Sequence, residues 1–363
     1  MHLLHRGAHD MVLTTDTPPV APPDSEVERP TLKTIAAATG LAIATVSRAL
    51  KDAPDIGEDT KRRVRETAAL LGYRPNRAGV RLRTGKTNVI ALVLSTEADV
   101  MNHTAQMIYS IAAALRETAY HLVVMPYFRD QDPMTPIRYI VETGSADGVV
   151  LNQIMPDDPR IRYMSERGFP FTAHGRSDMG IDHPYFDFDN EAFARLGVRA
   201  LVERQRQRLF MIAPPREQSY SGHMITGFAD EAAVQRARFE IATEVSSDSH
   251  SEQMEAAVYR RFQSGNPPDG ILVGSTTAAM AAVNGAERAG FHIGADFDLV
   301  AKEAIPFLRR FRKEMLVVHE DVGRAGDFLA RTLIAAIERR TPEAGQFLDK
   351  PEHLGADDAP QRR

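Results

Sequence analysis

The 363-residue chain is 43% hydrophobic, enough apolar material for two or more packed domains and too much for a small stapled scaffold. It has no cysteine, which excludes disulfides, a thiol nucleophile and cysteine-bound metal and is consistent with a reducing cytoplasm. The net charge of −5 conceals an asymmetry: residues 30–86 carry 12 Lys/Arg against 5 Asp/Glu, so a module of +7 is joined to a remainder of −12. Such a basic end suits a polyanion, because neutralising phosphates releases counterions.

Residues 1–29 are rich in proline (Pro18, Pro19, Pro22, Pro23) and hold no apolar run long enough for a signal peptide, so a disordered leader is expected, with Met1 or Met11 as the start. No stretch approaches the ~18 apolar residues of a membrane span. The expected protein is soluble and cytoplasmic, with no membrane partner.

From Thr31 to Lys51, Leu32, Ile35 and Ala36 and then Val46, Ala49 and Leu50 form two helical stripes broken at Gly40, with Thr31 as the first N-cap. A third stripe, Val64, Ala68 and Leu71, ends at Gly72. Three short helices of this kind form a helix-turn-helix domain, placed at 30–76. In its second helix Ile43, Ala44, Ser47 and Arg48 share the outward face while Val46 and Leu50 look inward. An outward arginine can donate twice to a guanine edge, and Ile43 and Ala44 suit a thymine methyl.

After Asn88 the texture changes. The runs VIALVL (89–94), HLVVM (121–125), DGVVL (147–151), RLFMI (208–212), GILV (270–273) and LVVH (316–319) alternate with helical stretches, predicting parallel βαβ units in two sheets over 88–350. Residues 77–87 form a hinge, and 351–363 an acidic, frayed tail. Gly79 to Thr87 has a superficial likeness to a phosphate-binding P-loop, but five residues rather than four separate Gly79 from Gly85, and the strand follows the motif instead of preceding it.

The segments GLAIATVSRALK and LGYRPN resemble the headpiece pattern of the LacI/GalR repressors, without insertion from Thr31 to Lys86. The resemblance implies an all-α helix-turn-helix headpiece followed by an α/β, two-lobed, periplasmic-binding-protein-like sensor. It implies that Ile43, Ala44 and Arg48 read bases and that Thr31, Ser47, Tyr73 and Asn76 hold phosphates. It also implies that Leu82 wedges into the minor groove between phosphate partners Arg81 and Arg83, although a linker residue packed on the sensor remains open. Gly79 weakens the hinge helix and favours folding on DNA. Ala42 and Gly57 stand where the family usually has Ser, so two helix caps are weaker.

For the sensor, the resemblance places effector contacts at Ser95, Gly175, Arg176, His223, Met224, Ser275, Glu303 and Glu320. Here the chain departs most: the family usually has Arg where Met224 stands and Asp where Thr276 and Glu303 stand. Met224 is equally readable as a core residue, and His223 or Arg176 can replace the lost donor fork. Asp189 and Asn190 read as the cap of a following helix. The expected partners are a pseudo-palindromic double-stranded operator, a small effector of carbohydrate type and a second copy of the chain, with no cofactor and no metal. A regulator that responds to a non-sugar ligand or to a protein is one alternative. An enzyme on a two-lobed α/β fold is the other, with no HExxH, GxSxG or paired carboxylate box to support it.

Overall fold

The structure, a computed structural model, describes residues 30–73, 85–95, 101–128, 130–340, 345–351 and 354. It divides into two compact units, Met1–Thr84 and Gly85–Arg363. The expected leader (1–29), Asn76, the hinge residues Gly79, Arg81, Leu82 and Arg83, and the expected tail apart from 351 and 354 lie outside the described residues.

In the first unit the described residues form three helices, α1 (Leu32–Thr39), α2 (Ile43–Leu50) and α3 (Glu58–Leu70). Thr31 caps α1 reciprocally with Thr34, each hydroxyl accepting from the other's backbone N–H. Gly40 ends α1 at φ 68, a left-handed turn that costs glycine nothing and that lets α2 start three residues later. Neither Ala42 nor Gly57 makes a side-chain cap, as their departure from Ser implies. Glu58 and Asp59 in the first turn of α3 partly offset that loss through the helix dipole. The core is small: Ile35, Val46, Ala49, Val64 and Ala68 are buried, and two of the five are alanines. Polar cross-links supplement it, with the buried Lys61 ammonium between Asp52 (3.1 Å) and Glu58 (2.7 Å) and Arg63 donating to the Thr39 carbonyl (2.6 Å).

The second unit is built on two parallel sheets. One holds β1 (Val89–Ser95), β2 (His121–Tyr127), β3 (Gly148–Leu151), β4 (Phe171–His174), β5 (Tyr185–Phe188) and β11 (Gln346–Asp349), in the order β11-β5-β4-β3-β1-β2. The other holds β6 (Arg208–Ile212), β7 (Arg238–Ile241), β8 (Gly270–Val273), β9 (Asp298–Glu303) and β10 (Leu316–His319), in the order β10-β9-β8-β6-β7. Inner strands such as β1, β3, β6 and β8 run as buried apolar segments of the kind that parallel sheets covered on both faces require, whereas the edge strands β2, β7 and β11 keep exposed or half-buried residues.

On the first sheet one face packs α4 (Met101–Ala114) and α12 (Val322–Ile337), and the other packs α5 (Met134–Thr143) and α6 (Pro159–Glu166). On the second, α7 (Asn190–Glu203) and α8 (Ser219–Val234) cover one face, and α9 (Ser251–Gln263) and α10 (Thr276–Arg288) the other. A short α11 (Leu308–Phe311) follows β9. The chain passes from the first sheet to the second between β5 and α7, and returns between β10 and α12. The six apolar runs expected as strands all lie in strands, and β4, β5, β7, β9 and β11 complete the sheets.

Close helix packing depends on Gly227 in α8, where a Cβ would lie 2.3 Å from the Glu191 carbonyl oxygen of α7, a backbone atom that cannot move aside. Nothing lies within 4 Å of a Cβ at Gly222 in the same helix. Gly227→Ala should therefore destabilise the sensor by about 1–3 kcal/mol, the usual cost of overpacking. Gly222→Ala should stabilise it by up to ~1 kcal/mol through helix propensity. Denaturant unfolding of the two variants checks this opposition of sign.

Candidate functional site

Two surfaces bring candidate residues together, one in each unit. In the first, Ile43, Ala44 and Arg48 are exposed and Ser47 half-buried along α2, while Val46 and Ala49 on its other face are fully buried. Arg48 is paired with Asp55. Both partners are about half exposed, so the pair contributes little and Arg48 can exchange a carboxylate for a base edge. Thr31 is exposed at the start of α1, and Tyr73, partly buried, packs against the small core.

In the second unit the strands of both sheets direct their C-terminal ends at one cleft, the position in which open parallel sheets bind ligands. Its empty space comes to about 950 Å³, part of it open to solvent. His174 and Gly175 follow from β4, Asp187 and Phe188 from β5, Gly274 and Ser275 from β8, Lys302 and Glu303 from β9, and Glu320 from the end of β10.

A buried polar cluster forms the centre. Lys302 Nζ lies 2.8 Å from Glu320 Oε2 and donates to Asn190 Oδ1 at 2.9 Å. His103 Nε2 and His174 Nε2 lie 3.4 and 3.8 Å from the other Glu320 oxygen. Burial alone would raise the Glu320 carboxyl, but Lys302 and the two histidines together hold it well below the usual carboxylate range. Burial, reinforced by His103, lowers His174 to about 3, so that imidazole is neutral at pH 7. The three side chains His103, His174 and Glu320 also have the donor types and spacing of a three-ligand metal group, with their ligand atoms within 4.8 Å of one another.

Asp187 behaves oppositely to Glu320. Burial raises it to about 7 although Arg176, with Nε 3.4 Å away, pulls it down. Its Oδ2 makes no hydrogen bond, and neither do the buried Ser219 Oγ, His103 Nδ1 and His174 Nε2. Buried polar atoms seldom lack partners, so these four mark where ligand or water atoms belong.

Of the expected effector contacts, Gly175, Ser275, Glu303 and Glu320 line the cleft. Ser275 is committed as the N-cap of α10, and Glu303 Oε2 accepts from the Phe307 and Leu308 N–H groups at 2.9 and 2.8 Å, holding the turn into α11. Four expected contacts are not among the lining residues. Ser95 ends β1, Arg176 has its Nε 3.4 Å from Asp187 Oδ2, and His223 lies 3.8 Å from Asp178. Met224 is fully buried beneath the floor, its Sδ 3.4 Å from where a Cβ on Gly274 would sit. That is the core position left open for Met224 above. Lys302, His103, His174, Asp187, Ser219 and Tyr220 were missed. For Lys302, His174 and Asp187 the available signal is a polar residue at or near the end of an apolar strand.

The raised Asp187 generates a pH-dependent stability. Its folded value exceeds the ordinary 3.8, so the folded chain binds the extra proton and loses this stability as pH rises from about 4 through about 7. Asp187→Asn removes the titration. Its melting midpoint should gain on the wild type across that window and level off above it, as thermal melts at several pH values would show; a constant difference would contradict the assignment.

Comparison with known proteins matches both units. Residues 31–76 fit the family described as bacterial regulatory proteins, lacI family, and residues 87–308 fit periplasmic binding proteins and sugar binding domain of LacI family. The HTH-type transcriptional regulator AglR of Rhizobium meliloti is 30% identical over 312 residues, which is 84% of this chain and 87% of its own. RafR of Escherichia coli is 34% identical over 191 residues, 52% of this chain and 56% of its own. Among solved structures, the lac repressor dimer bound to operator and the anti-inducer ONPF superposes with a TM-score of 0.79 at 19% identity, covering 89% of this chain and 97% of that one. A CelR–cellobiose complex gives 0.65 at 22% identity, covering 89% and 98%. The chain belongs to the LacI family, as a DNA-binding transcriptional regulator with a ligand-responsive sensor domain.

Proposed function

We propose that the protein is a dimeric repressor that binds a pseudo-palindromic operator and whose operator affinity is set by a carbohydrate in the sensor cleft. The observation that carries the ligand half is the cleft itself, whose lining includes residues with buried hydrogen-bonding atoms that lack partners and the half-buried aromatic ring of Tyr220. Hydroxyl groups fit such atoms, and the apolar face of a sugar ring fits an aromatic wall. The solved CelR–cellobiose complex, of the same fold, supports a saccharide as the ligand.

The DNA half rests on α2. Its exposed Ile43, Ala44 and Arg48 suit base edges, whereas Thr31, Ser47 and Tyr73 suit phosphates. Asn76, Arg81 and Leu82 are assigned to DNA by family resemblance alone. The dimer is supported by exposed apolar side chains on edge strands, Val123 and Val124 on β2 and Phe239 on β7, and by the lac repressor's being solved as a dimer on operator.

Arg48→Ala should weaken binding to the operator while leaving binding to random duplex nearly unchanged, by about 1–3 kcal/mol of lost discrimination if Arg48 reads a base. Equal loss on both DNAs, measured by fluorescence anisotropy, would reassign Arg48 to a phosphate. The same assay tests the proposed function as a whole. A saccharide that binds the cleft should shift operator affinity, and operator must shift saccharide affinity by the same factor, typically ~5–150-fold. A saccharide that binds without moving operator affinity would contradict this reading. Response only to a purine or to a protein would replace the carbohydrate.

A further inference from the structure

The charged groups lining the cleft are answered from within the protein. Four are acidic, Asp187, Asp248, Glu303 and Glu320, against one lysine, Lys302. Lys302 is held by Glu320 at 2.8 Å and Asn190 at 2.9 Å, with its ammonium 5.0 and 5.4 Å from the ring centres of Phe188 and Tyr220. Glu303 accepts two backbone N–H groups, Asp248 accepts from Ser247 Oγ at 2.9 Å, and Asp187 faces Arg176.

Of the helix N-termini at the cleft, that of α10 is capped by Ser275, that of α7 by Asp189 and that of α12 by Asp321, whereas that of α8 has no side-chain cap. Among the described residues no arginine lines the cleft, and Arg176 is engaged with Asp187, its Nε 3.4 Å from Oδ2. A phosphate or carboxylate entering here would meet a surplus of acidic groups around a lysine already paired with Glu320. The groups that remain to be satisfied, Ser219 Oγ, His103 Nδ1, His174 Nε2 and Asp187 Oδ2, match hydroxyls.

Resting on the carbohydrate reading above, we propose that the effector is an uncharged polyhydroxyl compound and that the cleft excludes its phosphorylated and uronic-acid counterparts. The discrimination is electrostatic: a like charge in a site whose lining lysine is already paired raises the cost of binding, whereas a neutral hydroxyl inherits the vacant hydrogen bonds.

Isothermal titration of the full-length protein tests this. The probes are neutral saccharides (glucose, maltose, cellobiose, sucrose, melibiose), glucose 6-phosphate, trehalose 6-phosphate, galacturonate and zinc chloride. The expected result is binding of at least one neutral saccharide, with the anionic probes weaker by about 100-fold or more. Thr276→Lys, which sets a cation at the cleft wall, should recover affinity for the anionic probes. Anionic probes that bind as tightly as neutral ones would overturn the charge selection while leaving the carbohydrate reading intact. If Thr276→Lys keeps neutral binding yet gains nothing for anions, the selection is by shape and the proposal falls. If no saccharide binds, both readings fall, and tight zinc binding in that case would assign His103, His174 and Glu320 to a metal.

Discussion

Lys302 and Glu320 meet at 2.8 Å, both buried, beside the point where the chain leaves the second sheet for α12. Two charges so removed from water are tolerable only if each is the other's counterion and the remaining donors and acceptors are filled. That requirement organises the surroundings. Asn190, the first residue of α7, accepts a hydrogen bond from the ammonium through Oδ1, which ties the other passage between the sheets to the same point. His103 and His174 gather on the free side of Glu320, from α4 and β4. One ion pair thus collects residues from both sheets and from both passages between them.

The same constraint sets the chemistry offered to a ligand. Because the strong charges are spent on one another, the cleft presents the neutral imidazole of His174, a hydroxyl and a carboxyl that burial raises to about 7. The contrast between Asp187 and Glu320 is instructive, since both are buried carboxyls in one cavity. Glu320 has a lysine in contact and stays ionised, whereas Asp187 has its arginine at 3.4 Å without a hydrogen bond, and burial wins. The headpiece solves a different problem. It has five buried core residues and two helices without side-chain caps, the buried Lys61 ammonium is held by Asp52 and Glu58, and its reading face keeps Ile43 and Ala44 exposed.

The headpiece was the more legible half because local rules decide it. Gly40 needs a left-handed turn, Thr31 caps, and the stripes at Val46 and Val64 have helical spacing, so three helices follow from adjacent residues. In the sensor, the strands made of unbroken apolar runs were the legible ones, whether buried like β3 and β8 or exposed like β2. Those missed are short or mixed: β4 and β5 carry His174 and Asp187, β9 ends in Lys302 and Glu303, and β7 and β11 are edge strands with exposed or half-buried residues. The polar residues that hide a strand are thus often those that build the site. Half of the cleft contacts drawn from family resemblance line the cavity, and the other four do not. Among these, Met224 is an apolar side chain that fills the core under Gly274, and Arg176 is engaged with Asp187. Lys302 was not legible because its partner Glu320 is 18 positions away and meets it only through the parallel register of β9 and β10.

The account turns on the Lys302–Glu320 pair, and a double-mutant cycle on stability measures it most directly. Removing either partner leaves a buried charge, so Lys302→Met and Glu320→Leu should each cost about 3–5 kcal/mol. The double variant should cost far less than the sum of the two, giving a coupling of a few kcal/mol. Additive losses in denaturant unfolding would show that the two charges do not depend on each other, and would contradict the organisation of the cleft described above.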